Sequence, residues 1–321
     1  MSRFSKLISG TLAAGLVVAM ATAASAQLAE LKLIAPAAPG GGWDQTARSM
    51  QSAMVAAGVA KNVQVTNIPG AGGTVGLAQF VTSKDPNTLM VNGFVMVGAI
   101  LLNKSPVSLD QVTPIAKLTE ETLVVVVPAD SPIKNAKDLA AAIKADVSKV
   151  TFAGGSAGSV DHILAAQIVK AAGADASKVN YIPFSGGGES IAAILGGKVS
   201  AGISGYAEYE GQIKSGKMRA LGISSEKKMA NIDLPTLKEQ GLDAAITNWR
   251  SVVAAPGISA DDKKKLSDAV EKMVKSDAWK EVLKQKGWDD AYMAGDEFAK
   301  FLKTEQARVA EVMKAIGLVK S

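Results

Sequence analysis

The sequence predicts an α/β protein built as two lobes, and three observations carry that prediction. Apolar runs of strand length alternate with helical patterns through most of the chain, which argues for largely parallel sheets with helices on their faces. Units of strand, glycine loop and helix come twice before the junction Pro128–Pro132 and twice again after it. The apolar runs Leu123–Val127 and Arg219–Ile223 stand where the chain passes between the two series. The first lobe is therefore expected to comprise residues 27–123 with 224–321, and the second residues 124–223.

The first lobe opens on Ile34–Asp44. Leu31 to Ala35 reads as a buried strand, ended by Pro36, Pro39 and the glycines 40, 41 and 42. Trp43, Ala47, Met50, Met54 and Val55 then recur at helical spacing. A second strand, Asn62–Ile68, runs into Pro69-Gly70-Ala71-Gly72-Gly73-Thr74 and a short helix from Val75 to Val81. Thr88–Val91 is a third strand, followed by the apolar segment Phe94–Leu102. Such glycine loops present unpaired backbone N–H groups, backed by the helix dipole, to whatever sits in front of them. The natural guest is an anion, and a carboxylate suits as well as a phosphate.

The second series repeats this form. Helix Ala136–Ala145 leads to strand Val150–Ala153, the loop Gly154–Ser159 and a helix over Val160–Ala172. Strand Val179–Pro183 is followed by Phe184-Ser185-Gly186-Gly187-Gly188-Glu189 and a helix through Leu195. Strand Ser200–Ser204 precedes Gly205-Tyr206, which opens another helix. A short helix over Pro235–Gly241 and an apolar strand, Trp249–Ala254, follow. The remainder reads as helical, with helices Asp261–Ser276 and Asp296–Ile316. In open parallel sheets the ligand sits beyond the carboxyl ends of the strands, so the glycine loops of both lobes can face one cleft.

Composition narrows the chemistry. The 321 residues are 48% hydrophobic and 20% charged, a globular balance. The net charge of +5 is scattered over helices and is no nucleic-acid footprint. Residues 1–26 read as a secretory signal peptide: Arg3 and Lys6 make the positive region, Leu7–Ala21 the apolar stretch, and Ala24-Ser25-Ala26 the cleavage site before Gln27. Losing Arg3 and Lys6 leaves +3 on the exported chain. No later apolar run reaches membrane-spanning length, so a periplasmic protein is expected. With no cysteine and one histidine, disulfides, thiol chemistry and a zinc site fall away, and no metal or cofactor is expected.

Gly154-x-Ser156-x-Gly158 matches a nucleophile elbow between strand and helix. The only histidine, His162, lies six residues later on the helix that Ser156 introduces, where it cannot easily turn back as general base. Gly70-x-Gly72-x-x-x-Gly76 has the wrong spacing for a dinucleotide fingerprint. Asp44, Asp161 and Glu189 stand at helix starts, where pairing with the dipole accounts for them; Asp44 and Asp161 are expected in addition to accept from a ligand hydroxyl or a bound water. Asp44 and Arg48 form an i,i+4 pair. Arg250 meets either a distal carboxylate or an ion-pair partner, and Trp43 borders either the ligand or the core.

The motifs Pro39-Gly40-Gly41-Gly42-Trp43-Asp44, Pro69-Gly70-Ala71-Gly72-Gly73, Gly155-Ser156-Ala157-Gly158, Phe184–Glu189, Leu195-Gly196-Gly197 and Asp233–Gly241 stand in order through the chain. In these the sequence resembles the periplasmic solute-binding subunits of tripartite tricarboxylate transporters. Trp43-Asp44, Ser204-Gly205-Tyr206 and Asn248-Trp249-Arg250 look closest to the tricarboxylate-binding branch. The resemblance implies a Venus-flytrap fold of the type II periplasmic binding class. It implies that the loops matching Gly41–Asp44 and Ser156–Asp161 grip one carboxylate through backbone N–H groups and ordered waters. The expected ligand contacts are Gly41, Gly42, Trp43 and Asp44; Gly72 and Gly73; Ser156, Ala157, Gly158, Ser159 and Asp161; Ser185, Gly186 and Gly187; and Ser204 and Tyr206, with Arg250 distal. It further implies a large and a small integral membrane subunit as partners. A monomer that delivers a citrate-like acid is the favoured reading. The alternatives are a binding protein for another organic acid or an amino acid that serves a sensory receptor, and, third, a serine hydrolase.

Overall fold

The computed structural model describes residues 27–184, 187–229 and 231–319; the expected signal peptide and the loop residues Ser185 and Gly186 lie outside these. The first lobe begins with β1 (Leu28–Ala35), α1 (Gly42–Ala56), β2 (Ala60–Asn67), α2 (Thr74–Phe80), β3 (Thr88–Gly93) and α3 (Phe94–Leu102). β1 pairs in parallel with β2 on one side and β3 on the other. Its inward residues Leu31, Leu33 and Ala35 are fully buried at period two, under the apolar face of α1 formed by Ala47, Met50 and Met54.

β4 (Thr113–Pro128) is one strand of 16 residues that belongs to both lobes. The second lobe then follows with α4 (Ala136–Ala145), β5 (Thr151–Gly154), α5 (Val160–Ala171), β6 (Asn180–Pro183), α6 (Gly187–Leu195), β7 (Ala201–Gly205), α7 (Tyr206–Lys214) and β8 (Met218–Ile223). The chain returns through β9 (Thr247–Ala254), α8 (Ala260–Val274), α9 (Asp277–Lys286), β10 (Asp289–Ala294) and α10 (Gly295–Ala315). The first half of β4 pairs antiparallel with β9 and β10, and its second half, from Leu123, with β7 and β8. The first sheet runs β2-β1-β3-β9-β4-β10 and the second β8-β4-β7-β5-β6.

The structure differs from the sequence expectation in three elements. The strand expected over Leu123–Val127 begins ten residues earlier, because Lys117, Thr119 and Glu121 disguise its first half yet are buried there. Lys117 reaches Glu120 and sits 4.5 Å over the Phe301 ring, which offsets part of the cost of burying its charge. The expected helical remainder is broken by β10, an edge strand whose Asp-Asp start is exposed and carries no alternation. Pro235–Gly241 forms only a 3-10 turn over Lys238–Gln240, stopped by Gly241 at φ +90°. The sheets are also mixed rather than largely parallel, since the strands that link the lobes run antiparallel to their neighbours.

All five residues of Leu123–Val127 are fully buried because both faces of the second sheet are covered. Leu123, Val125 and Val127 join the large core that extends through both lobes; Val124 and Val126 join a smaller one with Ile194, Tyr209 and Met218. Among the described residues no helix is long and apolar enough to cross a membrane.

The lobes also meet away from β4. A Cβ built on Gly98 of α3 would lie 2.0 Å from the carbonyl oxygen of Gly158 in the β5–α5 loop, and one on Gly158 would lie 3.2 Å from the Gly98 oxygen. The two backbones touch, and only glycine at 98 permits this approach of the lobes. Gly98→Ala is expected to cost about 1–3 kcal/mol, as overpacking does. The check is thermal melting together with the radius of gyration; an unchanged melting temperature and an unchanged radius would contradict this contact.

Candidate functional site

A cleft of about 900 Å³ lies between the lobes, within the range of about 300–1,000 Å³ usual for small-molecule sites. The loops at the carboxyl ends of β1, β2, β5 and β7 all reach it, and the first turns of α1, α3, α5, α6 and α7 border it. On the first lobe Gly41, Gly42 and Trp43 line it, with Gly72 and Gly73 beside them. Gly72 and Gly73 adopt φ +62° and +90°, and a Cβ on Gly73 would stand 2.6 Å from the Trp43 ring. Trp43 is 8% exposed, so it belongs to the core and to the cleft wall at once.

Asp44 has a different task. It is 2% exposed and does not line the cleft. Its carboxylate accepts from Gly40 N at 2.7 Å, from Arg48 Nε at 2.9 Å and from Asn67 Nδ2 at 2.9 Å. Burial would push this carboxyl up, but the bonds from Arg48, Gly40 and Asn67 together hold it below its ordinary value. The expectation that Asp44 accepts from a ligand is therefore corrected: it staples the β1–α1 loop from behind.

Arg250 lines the cleft from β9 but is 4% exposed and already paired. Nη1 donates to Gly42 O at 2.7 Å and Thr46 Oγ1 at 3.0 Å, and Nη2 donates to Glu121. Glu121 also accepts from Asn248 Nδ2 at 2.7 Å and Trp288 Nε1 at 3.0 Å. The guanidinium lies 4.8 Å over the Trp288 ring. Of the two readings of Arg250, the structure shows the ion pair.

On the second lobe Ser156, Ser159, Asp161, Gly187, Ser204 and Glu208 line the cleft. Ser159 caps α5, its Oγ accepting from His162 N at 3.4 Å. Asp161 is 9% exposed; Oδ2 accepts from Gly155 N at 2.7 Å, and burial pushes the carboxyl to about 7, with repulsion from Glu208 and Glu121 adding to it. Burial likewise raises Glu208, with Glu121 adding repulsion, and its carboxylate accepts from Ser204 Oγ. His162 stacks on Tyr181 at 4.2 Å, accepts from Gly158 N at Nδ1, and is held by burial at about 4. No hydrogen bond joins His162 to Ser156 among the described residues.

A family profile described as tripartite tricarboxylate transporter family receptor matches residues 46–318. A protein of Cupriavidus necator, the UPF0065 protein in the gbd 5' region, is 31% identical over 267 residues, covering 81% of this chain and 79% of its own. The chain belongs to the tripartite tricarboxylate transporter receptor family. The solved periplasmic binding protein BugD superposes on this receptor with a TM-score of 0.81 at 24% identity, covering 91% of this chain and 99% of BugD. MatC of Rhodopseudomonas palustris, solved with bound malate, does so with a TM-score of 0.77 at 23% identity, covering 88% and 98%. The receptor has their two-lobed periplasmic binding protein fold.

Of the receptor's expected contacts, Gly41, Gly42, Trp43, Gly72, Gly73, Ser156, Ser159, Asp161, Gly187, Ser204 and Arg250 line one cleft. Ala157, Gly158 and Tyr206 do not. Gly158 faces α3 instead, and Tyr206 packs on the smaller core. Ser185 and Gly186 lie outside the described residues. Sequence reasoning missed Glu121, Glu208, Asn248 and Trp288 as cleft residues. Glu121 lies in the half of β4 that was not legible as a strand, and Glu208 stands in the first turn of α7, where an acid looks like a plain dipole partner.

Removing Arg250 leaves Glu121 buried and without its cation. Arg250→Met is expected to cost about 3–5 kcal/mol, and most of this to return in the double variant with Glu121→Gln. Denaturant unfolding of the four proteins checks it; equal losses in the single and double variants would contradict the pairing. Asp161 binds its proton more tightly folded than unfolded, so its contribution to stability is complete below about pH 4 and is lost as the pH rises through about 7. His162, held low by burial, acts in the opposite sense: its contribution is present above its ordinary value of 6.5 and lost as the pH falls through about 4. Asp161→Asn keeps an acceptor for Gly155. Melting curves from pH 4 to 8 should show this variant gaining on the parent as the pH rises, and a constant difference would refute the assignment.

Proposed function

We propose that this receptor captures a small organic acid in the periplasm and delivers it to the integral membrane subunits of a tripartite tricarboxylate transporter. The observation that carries the reading is the convergence of α1, α5 and α6, from both lobes, on one cleft by their N-terminal turns. Each such end contributes about 0.3–1 kcal/mol per exposed charge and up to about 2 when partly buried. Several charge-assisted hydrogen bonds of about 1.5–3 kcal/mol each then suffice for the −8 kcal/mol or so of micromolar binding. No free cation is required, which suits a cleft whose arginine is already paired.

The charge of the cleft refines the sequence reading of a citrate-like ligand. Glu121, Asp161, Glu208 and Glu210 border the cavity, against Arg250 and Lys286. A trianion meets repulsion there, so a solute with one or two carboxylates is the better fit. Contacts to both lobes favour the closed form, which the membrane subunits recognise. His162, stacked on Tyr181, gives Ser156 no base, which disfavours a hydrolase.

Binding raises apparent stability by mass action. The exported protein, refolded to strip carried-over solute, should melt higher with mono- or dicarboxylates than with neutral analogues. Ser156→Ala should weaken the effective acid about ten- to a hundredfold, the loss of one hydrogen bond to a charged group. Scattering should show compaction on saturation. If no carboxylate shifts the melt and a neutral compound does, the reading is wrong. N-terminal sequencing of the periplasmic fraction should begin at Gln27.

A further inference from the structure

We infer that Asp161 meets the solute as a neutral carboxyl: Oδ1 carries a proton and donates a hydrogen bond to the solute's carboxylate, so the receptor takes up one proton with each acid it binds. This rests on the proposed function. It adds a residue in contact with the solute and a dependence of capture on pH.

The surroundings of Asp161 fix how its carboxyl is turned. Oδ2 accepts from Gly155 N at 2.7 Å. A Cβ on Gly154 would stand 2.8 Å from the Cβ of Asp161, and one on Gly155 would stand 3.0 Å from Oδ2, so the bare backbone of this loop lets the carboxyl approach. Tyr181 Oη donates to Gly155 O at 2.8 Å and holds the loop from the side of β6. Oδ1 is left over. It accepts from no donor among the described residues, yet it is not sealed in the interior as an unpartnered atom, so it opens on the cavity that Asp161 lines. A neutral carboxyl has one accepting oxygen and one hydroxyl. With Oδ2 occupied by an N–H, the hydroxyl falls to Oδ1.

The charges around Asp161 favour that proton. Glu208 and Tyr209 face it from α7, Glu121 from β4, Tyr181 from β6 and Arg250 from β9, and His162 follows it on α5. Among the described residues no cation reaches it within ion-pair distance: Arg250 is paired with Glu121, and His162, held at about 4, is neutral near pH 7. Burial has already brought the carboxyl to about 7. The solute adds the decisive group. Its carboxylate comes to the N-terminal turn of α5 beside Ser156, and Asp161 stands in that turn. Two carboxylates at one place cannot both stay charged, and a proton between them turns repulsion into a charge-assisted hydrogen bond. Above about pH 7 the free receptor has lost this proton and must regain it from solvent to bind, so affinity falls as the pH rises.

Calorimetric titration of the refolded exported protein tests this, with propionate, succinate, L-malate and adipate as probes. At pH 8, where these acids are fully ionised, heats in phosphate and in Tris should differ by the uptake of about one proton per probe bound. Affinity should fall about tenfold between pH 8 and pH 9. In Asp161→Asn the carbonyl oxygen keeps the bond from Gly155 and the amide donates to the solute. This variant should lose both the proton uptake and the pH slope, and at pH 9 it should bind about tenfold more tightly than the parent or better. Asp161→Ala has no donor and should bind about tenfold more weakly than Asp161→Asn at pH 6. Melting curves establish that the variants are folded, and the proton count of the parent decides without them. The inference is overturned, with the proposed function intact, if a probe binds and the two buffers show no uptake, or if Glu208→Gln rather than Asp161→Asn abolishes it. Failure of every probe to bind overturns both.

Discussion

The ion pair between Arg250 and Glu121 is the constraint from which the cleft takes its shape. Arg250 stands on β9, Glu121 on β4 one residue before Thr122, where the strand leaves the first sheet. Both are about 5% exposed at the side chain, deep enough that the charges interact through protein rather than water. The pair reaches outward in two directions. Through Gly42 O and Thr46 it holds the first turn of α1; through Trp288 it holds the chain leading into β10, and through Asn248 the start of β9. Gly42 is glycine because a Cβ there would lie 2.9 Å from Nη2 of the guanidinium. The lobe crossing, the N-terminus of α1 and the floor of the cleft are therefore one hydrogen-bonded unit.

That unit also explains how an acidic cleft and an anion-binding role coexist. The cation that sequence reasoning offered to the ligand is consumed inside the protein, and so is one of the acids. What remains for the solute is polar backbone at helix ends, hydroxyls from Ser156 and Ser204, and two carboxyls on the second lobe without cation partners. Backbone N–H groups fixed by secondary structure do not reorganise when an anion arrives, so each contributes more than a mobile lysine would. The two halves of this surface are held together by the Gly98–Gly158 contact and by β4, which runs unbroken through both sheets.

Much of this was legible in the sequence. Strand–loop–helix units stand out because a parallel strand buried on both faces is continuously apolar and glycine interrupts it sharply. Helix Ala136–Ala145, the segment Phe94–Leu102 and the loops at Gly41–Trp43, Gly72–Gly73, Ser156 and Ser204 could all be read this way, and the structure brings those loops to one cavity. Less legible were elements whose polar residues are buried in pairs. Lys117 and Glu121 interrupt the apolar pattern in the first half of β4, so no strand is legible there, and Asp44 looked like a ligand contact because its partners, Gly40 and Asn67, cannot be assigned from spacing.

The sequence by itself determined the class of fold, the order of its units, the absence of thiol chemistry and the places where backbone donors gather. These follow from local periodicity and from what glycine permits, and both are properties of neighbours along the chain. Only the tertiary structure decided which charges are spent and which are left to the solute. Arg250 and Glu121 are 129 residues apart, and Asp161 and Glu208 come from different loops of the second lobe. Whether such a group is paired, buried or waiting for a ligand depends on distance and dielectric in space, which no pattern along the chain encodes.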